Sequence, residues 1–190
     1  QQFLEVKKQD SVNALCRVID AAPNFYGFVF CRTKREVDQL NDDLVSRGYD
    51  SEAMHGDLSQ QQRNFVLRKF KNKRSTVLVV TDVAARGIDV TGLTHVINMS
   101  LPQDKESYTH RIGRTGRAGQ TGIAITIIAP SEFRRLKQFE RMVGGQIKKI
   151  EIPGVDLIIQ QRRDRIIDKI KSTIDVGIGK KYIELAEDLA

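Results

Sequence analysis

Short apolar runs rich in Val, Ile and Phe alternate with amphipathic stretches over the first 153 of the chain's 190 residues. Runs of this kind, bounded by polar punctuation, predict strands buried on both faces, and the helix-period stretches between them predict covering helices. The strands expected are Gly27–Cys31, Ser51–Met54, Thr76–Val80, His95–Met99, Gly122–Ile128 and Lys148–Ile152. The fold class that follows is α/β, a doubly wound, mainly parallel sheet with helices on both faces.

The helices carry their own start and stop signals. Asp10 or Ser11 caps a helix through Ala21 that turns Val12, Leu15, Val18 and Ile19 inward, with Pro23 after its end. Thr33 caps Lys34–Arg47, where Val37, Leu40 and Leu44 share one face and Gly48 breaks the helix. Ser59 precedes Gln60–Asn72, with Val66, Leu67 and Phe70 at helical spacing; Ser131 precedes Glu132–Val143, with Phe133, Leu136, Phe139 and Val143 inward. Ligands of such sheets collect outside the carboxyl ends of the strands, so functional residues are expected on the loops leaving them.

Pro153-Gly154 marks a boundary between a domain over 1–153 and a helical extension over 154–190. In the extension, Val155–Asp175 sets Ile159, Ile166, Ile167, Ile170 and Ile174 among arginines and lysines, Val176-Gly-Ile-Gly179 interrupts, and Lys180–Ala190 resumes a short amphipathic pattern. Two such helices are too small to bury a core of their own, so they are expected on the first domain, on a second copy, or on further sequence.

Composition narrows the partners. A net charge of +7, from 31 Lys+Arg against 24 Asp+Glu, favours a polyanion. With 8 Phe, 4 Tyr and no Trp the chain is poorly equipped to stack bases, so contacts to a phosphate backbone suit it better. Runs such as Val77–Val80 and Ile123–Ala129 are too short to span a bilayer and the N-terminus has no signal pattern, which points to the cytoplasm. Cys16 and Cys31 lack a CxxC partner and are expected as buried free thiols.

The candidate chemistry lies at strand ends. His110-Arg-Ile-Gly-Arg114-Thr-Gly-Arg117 puts one histidine and three arginines in eight residues, and guanidinium forks suit phosphate oxygens; a solvated basic loop is the plain alternative. Thr81-Asp-Val-Ala-Ala-Arg-Gly-Ile-Asp89 follows a strand with a hydroxyl, carboxylates and an arginine, fit for ribose and phosphate or for an ordinary strand-to-helix loop. Met54-His-Gly-Asp57 ends another strand; Gly56 would let a phosphate approach, and Gln60 and Arg63 lie on adjoining positions of the next helix, a spacing a solvated face also produces. The chain has no G-x-x-x-x-G-K-[ST] loop and no acidic box, so it is not expected to hydrolyse ATP unaided.

In order, FVFCRT (Phe28–Thr33), HGD-x-x-Q-x-x-R (His55–Arg63), TDVAARGID (Thr81–Asp89) and HRIGRTGRAG (His110–Gly119) resemble the C-terminal RecA-like domain of DEAD-box RNA helicases. The resemblance covers residues 1–153, and His110 separates the motif from related helicase groups that begin it with glutamine. It implies ATP as cofactor, with Mg²⁺ held mainly by an N-terminal RecA-like lobe. It implies that Arg114 and Arg117 face the γ-phosphate, with Arg117 as arginine finger, that His110 contacts the acidic-box lobe, that Asp89 holds the ATP ribose and that Arg86 bridges the cleft. It further implies that Gly56, Gln60, Arg63 and Thr81 grip the RNA sugar-phosphate backbone, with Arg32 as a further candidate. Gln1-Gln-Phe-Leu resembles the segment after the interlobe linker, as in a piece excised from a longer protein. The extension is similar to that of the bacterial DeaD/CsdA-like subgroup, which implies a homodimer through 155–190. The competing expectation is a noncatalytic RNA-binding or protein-docking module derived from a helicase domain.

Overall fold

The structure, a computed structural model, describes residues 1–116 and 121–175. It divides into two compact units, one of Gln1–Cys16 with Asn24–Ile152, the other of Arg17–Pro23 with the chain from Pro153 onward.

The first unit is built on a seven-stranded sheet of β1 (Gln2–Glu5), β2 (Gly27–Phe30), β3 (Ser51–Met54), β4 (Val77–Val80), β5 (His95–Asn98), β6 (Ile123–Ile128) and β7 (Lys148–Lys149). Their order is β3-β4-β2-β5-β6-β1-β7 and every neighbouring pair is parallel, as the continuous apolar runs require. Gly27 faces Val77 on one side and His95 on the other, so β2 lies inside the sheet with its four residues buried.

The helices are α1 (Ser11–Ala21), α2 (Lys34–Ser46), α3 (Gln60–Lys71), α4 (Asp82–Ala85), α5 (Lys105–Ile112), α6 (Phe133–Val143) and α7 (Val155–Asp175). Thr33 caps α2 in a capping box with Glu36, and Ser59 caps α3 with Gln62, each pair satisfying free N–H groups at the helix start. Val66 and Phe70 of α3 bury against Phe28, Phe30, Leu78 and Val80, while Val29, Val77 and Val79 on the opposite face are equally inaccessible. There α2, which lies against β3 and β4, buries Val37, Leu40 and Leu44. Tyr26 stacks on Phe70 at 4.4 Å and donates its hydroxyl to the Phe70 carbonyl at 3.1 Å; burial pushes that phenol up to about 12. A second cluster joins Tyr108 of α5 and Leu136 and Phe139 of α6 to Phe3 of β1 and Ile128 of β6.

Several boundaries differ from the sequence expectations. β1 is a full strand although Gln2–Glu5 has only two apolar residues; the parallel pairing to β6 and β7 buries both Phe3 and Leu4. Lys148–Ile152 contracts to the two residues of β7, an edge strand with exposed lysines, although the Ile150 N–H still donates to the Phe3 carbonyl at 2.9 Å. α6 begins at Phe133 because Pro130–Glu132 forms a 3₁₀ turn before it, and Phe133 is 37 % exposed rather than inward. Cys16 and Cys31 are buried free thiols.

In the second unit α7 runs over the full expected span, with Ile158 buried and Leu157, Ile159, Ile166 and Ile170 exposed. Arg162 pairs with Asp20 at 2.8 Å. The expected helix Lys180–Ala190 lies outside the described residues. Among the described residues no helix is long and apolar enough to cross a membrane.

Candidate functional site

The carboxyl ends of four adjacent strands, β3, β4, β2 and β5, deliver most of the candidate residues to one edge of the sheet. After β3, the buried His55 ring fixes the turn that carries Gly56. Its Nε2 lies 2.9 Å from Asp38 Oδ1, and its Nδ1 accepts from the Asp57 N–H at 3.4 Å, a pattern that puts the ring proton on Nε2. Lys34 pairs with Asp57 across the same turn, and that hydrogen bond holds the Asp57 carboxyl below its ordinary range. A Cβ on Gly56 would meet nothing within 4 Å, so the space above it is open.

After β4, Thr81 caps α4 by accepting from the Ala84 N–H at 3.4 Å, and the Thr81 N–H donates to Met54 of the neighbouring strand. Arg63, one turn into α3, donates through Nη2 to the Ala84 carbonyl at 3.1 Å. Gln60 is exposed at the start of α3 and donates to Asn64. Gly56, Gln60, Arg63 and Thr81 thus belong to one side of the edge, on three consecutive elements. Arg32, after β2, is committed elsewhere: its Nε donates to Ser100 Oγ at 2.8 Å and its Nη2 pairs with Glu132 at 3.1 Å. Those three residues line a cavity of about 500 Å³ with Glu36 and Met99.

The second cluster centres on α5. Asp104 caps it by accepting from the Ser107 N–H at 2.7 Å, and Gly113 ends it. His110 is in the last turn, whereas Arg114 lies just past the end, held by turns from Arg114 to Arg111 and Thr115 to Ile112 rather than on a continued helical face. A small pocket nonetheless brings His110 and Arg114 together with Arg86, Ser107 and Asp82. Asp89 is exposed and is not among the residues lining that pocket. Arg117 and Gly119 lie outside the described residues.

Beyond the helix the chain turns sharply. Gly116 adopts φ 68°, and the Thr115 hydroxyl donates to the Leu93 carbonyl. A Cβ on Gly122 would come within 2.1 Å of Thr115 Oγ1, so only glycine lets β6 start against this turn.

Sequence reasoning passes over Arg111. It is buried, and its Nε and Nη2 each donate to one Asp82 oxygen at 2.6 Å, while Nη1 donates to Asn98 Oδ1 at 3.1 Å. The signal for it was spacing: Arg111 follows Tyr108 by three, on the inward face of α5. No group of three or more metal-binding side chains occurs among the described residues.

Comparison with known proteins gives consistent results. Residues 10–119 match the helicase conserved C-terminal domain. The DEAD-box ATP-dependent RNA helicase CshA of Bacillus thuringiensis is 44% identical over 189 residues, spanning 100% of this chain and 36% of that protein. The CshA of Geobacillus kaustophilus is 43% identical, with 40% of its length covered. The chain therefore spans well under half the length of these relatives. A DEAD box protein from Methanococcus jannaschii superposes with a TM-score of 0.74 at 49% identity, covering 79% of this chain and 41% of that one. S. cerevisiae Dbp5 bound to RNA and ADP BeF3 gives a TM-score of 0.77 at 29% identity, covering 86% and 44%.

Proposed function

Because the chain belongs to the helicase conserved C-terminal domain family, among the DEAD-box proteins, we propose that it is the lobe of an ATP-dependent RNA helicase that supplies arginines to ATP hydrolysis and half of an RNA backbone grip. The observation that carries this reading is that three of the four motifs meet on one lobe: Arg63 holds the Ala84 carbonyl of the Thr81–Asp89 segment, while Arg111 and Arg114 hold Asp82 and the Ile88 carbonyl of the same segment.

In this reading, RNA phosphates lie over Gly56 and Thr81 and are drawn by Gln60 and Arg63, with Arg32 a further contact once released from Glu132. No base edge is read by these groups, so recognition is independent of sequence. ATP supplies the phosphoanhydride that is cleaved. Arg114 and Arg117 neutralise charge on the transferring phosphoryl group, Arg86 bridges the cleft, His110 contacts the opposing lobe and Asp89 accepts from the ribose. Arg86 and Arg114, which line the small pocket beside α5, can offer guanidinium N–H groups to a phosphate oxygen, but the described residues offer no cradle for a whole triphosphate and no metal cluster. Mg²⁺ and most of the nucleotide are assigned to an N-terminal lobe, and the two ligands drive unwinding by favouring the closed pair of lobes.

Residues 1–153 form the helicase domain and 154–190 an extension in this account, and the exposed isoleucines of α7 suit a second copy of the chain. A cytoplasmic location goes with it. The test is reconstitution: ATP turnover measured for this chain alone, then with a family N-terminal lobe and RNA. Hydrolysis only in the combined sample supports the reading. Hydrolysis by the chain alone, or none in any combination while both lobes are folded, contradicts it.

A further inference from the structure

The outward face of α3 carries side chains that neither motif cluster uses. Phe65 is 50% exposed, more than any other phenylalanine or tyrosine among the described residues. Arg68 and Lys69 lie one turn further on, with Arg68 Cζ 5.8 Å and Lys69 Nζ 5.4 Å from the centre of the Phe65 ring. At the helix end and just past it, Lys71, Lys73 and Arg74 are exposed as well.

The backbone under the last of these cations is fixed. The Lys73 N–H donates to the Phe70 carbonyl at 2.9 Å and the Arg74 N–H to the Lys69 carbonyl at 3.0 Å, the paired bonds that close a helix around a left-handed residue. That residue is Lys73, at φ 54°, the one non-glycine with positive φ among the described residues. Glycine is the usual occupant of such a position, so the chain sets a charged side chain where backbone preference asks for none.

The helix C-terminus favours a cation or two in its last turn, but five crowded together repel one another. Among the described residues, the one carboxylate in an ion pair with any of the five is Glu52, which holds Lys69. A single exposed phenylalanine is ordinary. One beside two cations and continued by three more is the combination that takes single-stranded nucleic acid, in which cations track phosphates and a ring receives a base.

The patch adjoins the RNA grip assigned above. Gln60 Nε2 donates to Asn64 Oδ1 at 2.9 Å, and Asn64 precedes Phe65. Gln60, Asn64, Arg68 and Lys71 recur at helical spacing along one face of α3, a span of about 16 Å. The helix lies against β3, the outermost strand on that side of the sheet.

We propose that the exposed face of α3 and the turn after it form a second subsite for single-stranded RNA. A strand leaving the grip at Gln60 and Arg63 stacks a base on Phe65 and lays its phosphates along Arg68, Lys71, Lys73 and Arg74. Arg68, on a long flexible stem, yields the ring to the arriving base and turns to its phosphate. Stacking uses the face of a base and not its edge, so the subsite adds affinity without sequence preference. The proposal rests on the assignment of RNA to Gln60 and Arg63 made above.

The experiment uses a two-lobed helicase carrying this domain. The shortest single-stranded RNA that stimulates ATP turnover defines the grip, and RNAs longer by about four unpaired nucleotides at either end are compared with it by fluorescence anisotropy. Extension at one end should tighten binding about tenfold, and Phe65→Ala should remove most of that gain. With an abasic extension, Phe65→Ala and the unmodified protein should bind equally. The combined variant Lys71→Gln, Lys73→Gln, Arg74→Gln should make the salt dependence shallower by about 2 for the extended RNA and leave it unchanged for the short one. These four residues are exposed, so the variants should keep the unmodified Tm and their turnover with the short RNA. No gain from extension at either end overturns the proposal, and so does a gain that survives in either variant, since the subsite needs both ring and cations. An extension that binds as well when paired into a duplex overturns the single-stranded assignment. A short RNA that neither binds nor stimulates the unmodified enzyme overturns the helicase reading itself, a result distinct from absence of the extension gain.

Discussion

Arg63 Nη2 lies 3.1 Å from the carbonyl oxygen of Ala84, so a side chain of α3 holds the last turn of α4. The same guanidinium has further N–H groups, so it can hold this turn and still offer donors to a phosphate, as the proposed RNA grip requires. In a two-lobed helicase, Arg63→Ala should weaken single-stranded RNA binding roughly tenfold. The plot of log K against log salt should become shallower by about 0.7, the loss of one phosphate contact. Arg63→Lys should keep the slope and recover part of the affinity. Anisotropy titrations over a range of salt check this; an unchanged slope in Arg63→Ala would make the residue purely structural.

His95 provides a pH-dependent stability term. Its ring stacks on Phe25 at 4.9 Å, Nδ1 lies 2.7 Å from Thr94 Oγ1, and burial pulls its pKa from 6.5 down to about 4. In the unfolded chain the imidazole takes up a proton near its ordinary pKa, whereas in the folded protein it stays neutral until near pH 4. The stabilisation is therefore complete above the unfolded value and is lost as pH falls through this window, at most on the order of 3 kcal/mol. Urea unfolding of the unmodified protein and of His95→Gln across this range should show a stability difference that shrinks as pH falls. A constant difference would mean that His95 does not titrate differently on folding.

Gly122 tests the turn that carries Arg114. A Cβ there would lie 2.1 Å from Thr115 Oγ1 and 2.4 Å from the Gly116 nitrogen, so Gly122→Ala should cost about 1–3 kcal/mol and lower Tm by several degrees. Gly145→Ala is the control: a Cβ there meets nothing within 4 Å, and Tm should move little. Equal shifts in both variants would remove the packing argument.

How much of this was legible beforehand depends on the physics of each element. β2 and β4 announce themselves because a parallel strand covered on both faces must be apolar throughout, and Gly27–Phe30 and Val77–Val80 are. The Thr33 and Ser59 caps were equally readable, since capping is local chemistry. β1 was not: Phe3 and Leu4 between Gln2 and Glu5 carry too little pattern, and only pairing with β6 and β7 makes them a strand. Four-residue α4 is likewise specified by tertiary contacts, burying Ala84 and Ala85 under Arg63. In the candidate site, the segments after β2, β3 and β4 could be placed at strand ends from sequence alone, whereas His110 and Arg114 lie at the end of α5 rather than at a strand end. The partner of Arg111 could not be read from sequence, because the carboxylate that neutralises this inward-facing charge is 29 positions away in sequence. The same holds for Arg32, whose partners Ser100 and Glu132 come from other loops.

The central claim is that this lobe delivers arginine to ATP hydrolysis. Its most direct test is ATP turnover at saturating RNA in a two-lobed helicase carrying this domain, comparing the unmodified protein with Arg117→Ala. The account predicts a loss of turnover of about 10³-fold or more, with RNA affinity little changed. Near-normal turnover in the folded Arg117→Ala protein would contradict it.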